Sequence, residues 1–226
     1  MQTVINRTLK ATLLSIVILC QPSAHAAFSL NKTRVIVGAG SSSSVEITNH
    51  SPLKFGMQSW VEEVDSPASE LAVTPRLLTI EGESDATLRL LSFNKTLSEE
   101  QLFYLNVQEI PPENSDSETS TLSLAVRTRI KLLVRPENLF ENRPDAEKQI
   151  LVSRTSDGLL FRNPTPYYFA VAKVTDNKTS ITSPNLGTFS PNSEVRIKSA
   201  TSASEVTLYA IDDYGATNPY ILTVKE

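Results

Sequence analysis

The sequence holds few of the residues that do most covalent and metal chemistry. Its 226 residues include one cysteine and two histidines. Cys20 and His25 both fall in the first 26 residues, which read as a removable signal, leaving no thiol and one imidazole, His50, in a turn. A disulfide framework, a thiolate metal site and a His/Cys zinc cluster are thereby excluded. So are the usual Ser–His and Cys–His nucleophile pairs. Long helical periodicity is missing, and after the N-terminal segment no apolar run reaches the about 20 residues that a membrane span needs. Cationic excess is missing as well. Without Arg7 and Lys10, 19 of the 21 basic residues face 25 acidic ones, a net charge of about −6. That argues against nucleic acid or an anionic membrane surface as the main ligand. Three carboxylate pairs occur, Glu62-Glu63, Glu99-Glu100 and Asp212-Asp213. Adjacent strand residues point to opposite faces, so these are poor acid/base couples and are read as solvated surface. No enzyme, no cofactor and no metal is expected.

The N-terminus carries an address. Arg7 and Lys10 precede an apolar run from Ala11 to Cys20, Gln21 to Ser23 break it, and Ala24-His25-Ala26 supplies the small residues of a cleavage site. Residues 1–26 therefore read as a cleaved secretory signal. Leu19 and Ile18 precede Cys20 where lipid attachment requires a small residue, so a lipid anchor is not expected.

What the chain does have is alternation. From Leu122 to Pro136 every second residue is mostly apolar (Leu122, Leu124, Val126, Thr128, Ile130, Leu132, Val134), while Arg127, Arg129, Lys131 and Arg135 stand on the other face. The pattern predicts a strand of roughly 15 residues, about 50 Å long, against a usual strand of about 5–6. One small sandwich cannot cover that whole face, so part of it is expected to pair with a partner. Elsewhere, a strand is predicted from Phe28 to Val37, followed by a loop at Gly38–Ser44 read as the turn of a hairpin. Its glycines fall short of a phosphate-binding loop, since Ser43 replaces the third glycine and strand-like residues follow. Further strands are expected at 55–64 (with Trp60 as a core aromatic), 87–91 and 102–110, with one helical turn from the capping-box spacing Ser98 to Gln101. Asn138, Asn142, Arg143 and Pro144 mark a linker. Beyond it, short strands are predicted at 150–152, 159–162, 167–174, 194–197, 206–211 and 220–224. Short strands at this spacing mean β-sandwiches.

Seven ordered motifs carry a resemblance that covers nearly the whole chain from Leu30 to about Gly215. They are Thr33-Arg34-Val35, Thr74-Pro75, Leu102-Phe103-Tyr104-Leu105-Asn106, Glu109-Ile110-Pro111-Pro112, Ile130-Lys131-Leu132 through Arg135-Pro136, Asn163-Pro164-Thr165-Pro166-Tyr167-Tyr168, and Asp213-Tyr214-Gly215. In these the chain resembles the periplasmic chaperones of pilus (fimbrial) assembly, the PapD-like family. The resemblance implies an all-β protein of two immunoglobulin-like sandwich domains in an L-shaped arrangement, here 27–138 and 148–226 joined by a linker at 139–147. It implies that Arg34 and Lys131 anchor the C-terminal carboxylate of a pilus subunit. Leu122, Leu124 and Val126 fall on the strand lent to the subunit's open groove, and Glu100, Arg135 and Asp213 on an interdomain charge cluster. The short loop 113–121, with no bracketing cysteines, resembles the short-loop class that serves rod-like pili. The implied partners are pilus subunits and an outer-membrane usher, in the periplasm, with no nucleic acid and no membrane insertion. The other reading of these residues is a secreted Ig-like structural or adhesive pilus component. Such a subunit should be one incomplete domain, and this chain reads as two complete ones.

The signal generates a prediction. Protein purified from the periplasmic fraction begins at Ala27 by intact mass, and a retained N-terminus or a lipid on Cys20 would refute it.

Overall fold

The computed structural model describes residues 26–64, 71–112, 124–176, 179–181, 184–200 and 202–226. They fold as strands joined by turns and three short 3-10 turns, at Glu137–Leu139, Ala146–Gln149 and Pro184–Thr188. Among them no helix is long and apolar enough to cross a membrane.

The first half builds two facing sheets. One contains β1 (Phe28–Leu30), β3 (Ser42–Asn49), β5 (Leu71–Thr74) and β7 (Asp85–Ser92) in the order β1-β3-β7-β5. The other contains β2 (Arg34–Gly38), β4 (Phe55–Glu63), β6 (Leu77–Ile80), β8 (Gln101–Ile110) and β9 (Arg127–Arg135) in the order β2-β9-β8-β4-β6. Alternation puts Val45 and Ile47 of β3 and Leu88 and Leu90 of β7 inward, against Val35 and Val37 of β2, Phe103 and Leu105 of β8 and Leu132 and Val134 of β9. Each such side chain removed from water contributes about 1.5–3 kcal/mol, which stands in for the absent disulfides. Buried Asn49 closes one end, donating to the carbonyls of Leu53, Ile80 and Glu81.

The second half is one seven-stranded ladder around its own core. Its strands are β10 (Leu151–Thr155), β11 (Gly158–Arg162), β12 (Ala170–Thr175), β13 (Ser180–Ile181), β14 (Glu194–Lys198), β15 (Glu205–Ile211) and β16 (Thr217–Lys225), ordered β13-β12-β15-β16-β10-β11-β14. Phe161, Phe169, Phe189, Leu159 and Leu208 fill that core. Asn163 mirrors Asn49, fully buried and donating to the carbonyls of Tyr167 and Ser190.

The structure departs from the sequence pattern in five places. The strand expected at 28–37 is two strands, because Asn31–Thr33 carries the chain from one sheet to the other, with Asn31 bonded to the backbone of Glu46. The turn at 38–41 accordingly links β2 to β3 across the sandwich and is no hairpin. No helical turn forms at 98–101: Gln101, the reciprocal residue of the capping box, opens β8 opposite Val134, and the Glu100 carboxylate turns to Arg135 and the Tyr168 N–H. Trp60 alternates with the inward Ser59 and lies half-buried outside the core. The long strand is shorter than expected, since β9 starts at Arg127, while Leu122 and Ser123 lie outside the described residues. Its partner β8 ends at Ile110 before Pro111-Pro112, and proline offers no N–H to continue the ladder.

Candidate functional site

Strands β2 and β9 run parallel, with Arg34 opposite Lys131 and Gly38 opposite Arg135. Val35, Leu132 and Val134 point into the first core, so Arg34, Lys131 and Arg135 project from the sheet's outer face toward the second sandwich. Three cations are thus delivered to one seam by a period of two.

Arg34 and Lys131 are the two that no carboxylate neutralises directly. A terminal guanidinium nitrogen of Arg34 donates to the carbonyl of Ile211 at 3.1 Å, and its Nε has no partner. The Lys131 ammonium donates to the carbonyl of Gly187. Both side chains are half-buried and tied only to backbone carbonyls of the second sandwich. Burial, with the neighbouring Arg34 charge, lowers the Lys131 pKa to about 8. Burial also lowers that of Arg34, with Arg143 adding to the effect and Asp213 opposing it.

Arg135 is neutralised twice. Its Nε donates to Glu100, and its two terminal nitrogens donate to Asp213 at 2.7 and 3.0 Å. Glu100 and Arg135 are both 2% exposed. The other Glu100 oxygen accepts from the Tyr168 N–H at 2.7 Å, and the Glu100 N–H donates to Pro166 at 2.9 Å. Burial pushes the Glu100 carboxyl up, and Arg135 and the Tyr168 N–H pull against that shift. Residues far apart in sequence therefore meet as one cluster, and neither Glu100 nor Asp213 is the solvated surface group that adjacent carboxylates suggest.

Arg143 and Glu147 belong to the same seam and were missed in the sequence. They pair through two bonds of 3.0 and 2.9 Å, almost fully buried, with the Arg143 Nε 3.9 Å from Asp213. Their i, i+4 spacing was the available signal, inside a stretch that composition marks as a linker.

At the other end of β9, Leu124 is 67% exposed and Val126 39%. They keep the inward parity of Ile130 and Leu132 but extend past the core. The Val126 carbonyl still accepts from the Glu109 N–H at 2.9 Å, so the segment stays aligned with β8. Between residues 127 and 130, β9 has β8 on one side and no strand on the other among the described residues. A strand edge with open N–H and C=O groups is a template for another strand.

Residues 27–140 match the family model described as pili and flagellar-assembly chaperone, PapD N-terminal domain, and residues 145–222 that of pili assembly chaperone PapD, C-terminal domain. The chaperone protein FanE of Escherichia coli is 35% identical over 219 residues, covering 92% of this chain and 96% of that protein. The chaperone protein FimB/FhaD of Bordetella pertussis is 35% identical over 225 residues, covering 91% of each. Among solved structures, the Salmonella enterica SafB chaperone in complex with the SafA pilin is similar with a TM-score of 0.77 at 25% identity, covering 89% of this chain and 98% of that one.

The seam cluster generates a prediction. Arg135→Ala leaves Glu100 buried without its counter-charge, which costs about 3–5 kcal/mol. A lowered melting temperature and a wider spread of interdomain angles in solution scattering are expected, with β-structure retained in each half. Unchanged stability and orientation would show that the cluster holds nothing together.

Proposed function

The chain belongs to the PapD family of pili and flagellar-assembly chaperones, and from that premise we propose that it is a periplasmic chaperone that caps pilus subunits and delivers them to an outer-membrane usher. In this reading residues 1–26 are the removed signal, and 27–138 and 148–226 are the two domains, set in an L about the linker 139–147. The SafB relative was solved with a pilin, which supports a pilus subunit as the partner.

The observation that carries the mechanism is where β2 begins. Arg34 opens β2 directly opposite Lys131, and upstream of that point no strand among the described residues pairs with that edge of β9. A subunit strand lying along the open edge, in line with β2, runs parallel to β9 and ends at the two cations. Its terminal carboxylate then meets an ammonium and a guanidinium that no protein carboxylate neutralises directly, each charge-assisted bond contributing about 1.5–3 kcal/mol. Leu124 and Val126, with Leu122 before them, fill the groove of the incomplete subunit, contributing about 5–8 kcal/mol before ordering costs. Backbone pairing supplies affinity, and alternate side chains supply register. No cofactor enters the scheme, since strand exchange makes and breaks only hydrogen bonds, ion pairs and apolar contacts. The half-buried, carbonyl-tied cations favour this reading over a structural pilus component, which has no use for an unneutralised pair in a seam.

Two predictions follow from the anchor. Arg34→Ala and Lys131→Ala each lose one cation–carbonyl bond, about 1.5–3 kcal/mol, and Leu124→Glu alters an exposed site. All three stay folded in a thermal melt and fail to co-purify the fimbrial subunit coexpressed with them. Normal recovery with Lys131→Ala would sink the anchor. Loss of recovery together with a collapsed melt would mean that the three are core residues.

The second concerns pH. The free protein holds Lys131 at about 8, and a bound carboxylate raises it, so binding takes up a proton above that pH. Affinity for a peptide with a free C-terminus is therefore full below pH 8 and declines as pH rises above it. Lys131→Arg, charged throughout, abolishes that decline. A wild-type affinity that stays flat from pH 7 to 10 would count against the role of Lys131.

A further inference from the structure

We infer that the outer face of β9 also reads charge near the end of the bound strand, and that Arg127 selects an acidic side chain there. The inference rests on the docking just proposed. Thr128 and Ile130 are turned toward the core, so Arg127, Arg129 and Lys131 form one outward row, about 7 Å apart at about 3.3 Å per residue. In an acidic protein this is a local concentration of positive charge beside an open strand edge.

The three cations are not equivalent. Lys131 serves the terminal carboxylate. Arg129 is already occupied: it donates to Glu62 at 3.1 and 2.7 Å, its guanidinium carbon lies 3.4 Å from the centre of the Tyr104 ring, and the Asn106 amide steadies Glu62 at 3.2 Å. Arg127 is exposed and has no ion-pair partner among the described residues. Gln108, opposite it, turns its amide to the carbonyls of Val126 and Glu109. Glu62, paired directly with Arg129, attracts Arg127 only at longer range, so Arg127 is the cation beyond the anchor without a direct ion pair among the described residues.

The register limits what it can meet. A strand in line with β2 cannot pass Arg34, so its last residue lies opposite Arg129 or Ile130. Parallel pairing then places the outward side chain beside Arg127 two or three positions before the last residue. An acidic group there gains a charge-assisted contact, and a basic one meets Arg127 with Arg129 beside it.

The test uses the mature protein and labelled 12-residue peptides with a free carboxylate, alternating apolar and Ser/Thr residues. Glu or Lys is placed in turn at each of the four positions before the last, and binding is read by fluorescence anisotropy. At one of the two positions named, the Glu peptide is expected to bind about fivefold more tightly than the Lys peptide, as for an exposed ion pair. The preference shrinks in 0.5 M salt and reverses in Arg127→Glu. Equal binding of Glu and Lys peptides, or a preference that Arg127→Glu leaves unchanged, overturns the inference. Amidating the peptide end reports separately on the anchor: if amidation does not weaken binding, the anchor falls while the charge preference still decides the role of Arg127. Absence of binding by every peptide overturns both.

Discussion

A guanidinium with 3% of its side chain exposed, shared between a carboxylate from each sandwich, is the constraint on which the seam depends. Taking Arg135 out of water costs several kcal/mol, and only the geometry in which Glu100, Asp213 and the Tyr168 N–H converge recovers it. Each partner sits on a different part of the chain, so rotating one sandwich against the other would break several charge-assisted bonds together. Arg143 and Glu147 extend the same logic into the connection between the halves. Two domains without a covalent staple are thereby held at one orientation.

That orientation gives Arg34 and Lys131 their character. Both emerge from the strands that carry Arg135 and its neighbours, yet each reaches only a backbone carbonyl of the second sandwich. A carbonyl dipole offsets part of a buried charge and leaves the rest, hence the lowered Lys131 pKa. The seam thus contains Arg135 and Arg143, each paired with carboxylates, and Arg34 and Lys131, which reach only backbone carbonyls.

Strand β9 connects these roles to the open edge. Its middle is a core strand, its C-terminal end carries Arg135, and at its N-terminal end the inward-facing set outruns the core at Val126 and Leu124. One strand therefore packs in the core, carries seam cations and ends in an exposed apolar segment. The two prolines after β8 contribute by ending the neighbouring ladder, so that the exposed segment is left with partial pairing.

Period-two alternation, turn residues and the lack of cysteine were enough to establish an all-β chain of two sandwiches, because burial of alternate side chains is a local property of each strand. The same alternation placed Lys131 and Arg135 on one face of the long strand and Leu124 and Val126 on the other, whereas the pairing of β2 with β9 brought Arg34 beside Lys131. Which strands share a sheet was not legible: Phe28 to Val37 reads as one strand, and only the packing of the first sandwich shows the chain crossing between its sheets at Asn31–Thr33. The capping-box spacing at Ser98 was outweighed by pairing with a distant strand, since Gln101 is drawn into β8 opposite Val134 and Glu100 beside it into the buried Arg135 pair. Glu99 and Glu100 look alike in sequence, and so do Asp212 and Asp213; which member is buried against a guanidinium depends on the approach of another domain. The sequence by itself determined which side chains share a face; the tertiary structure decided which charges are neutralised and which are left open, because electrostatic partners are chosen by distance in space.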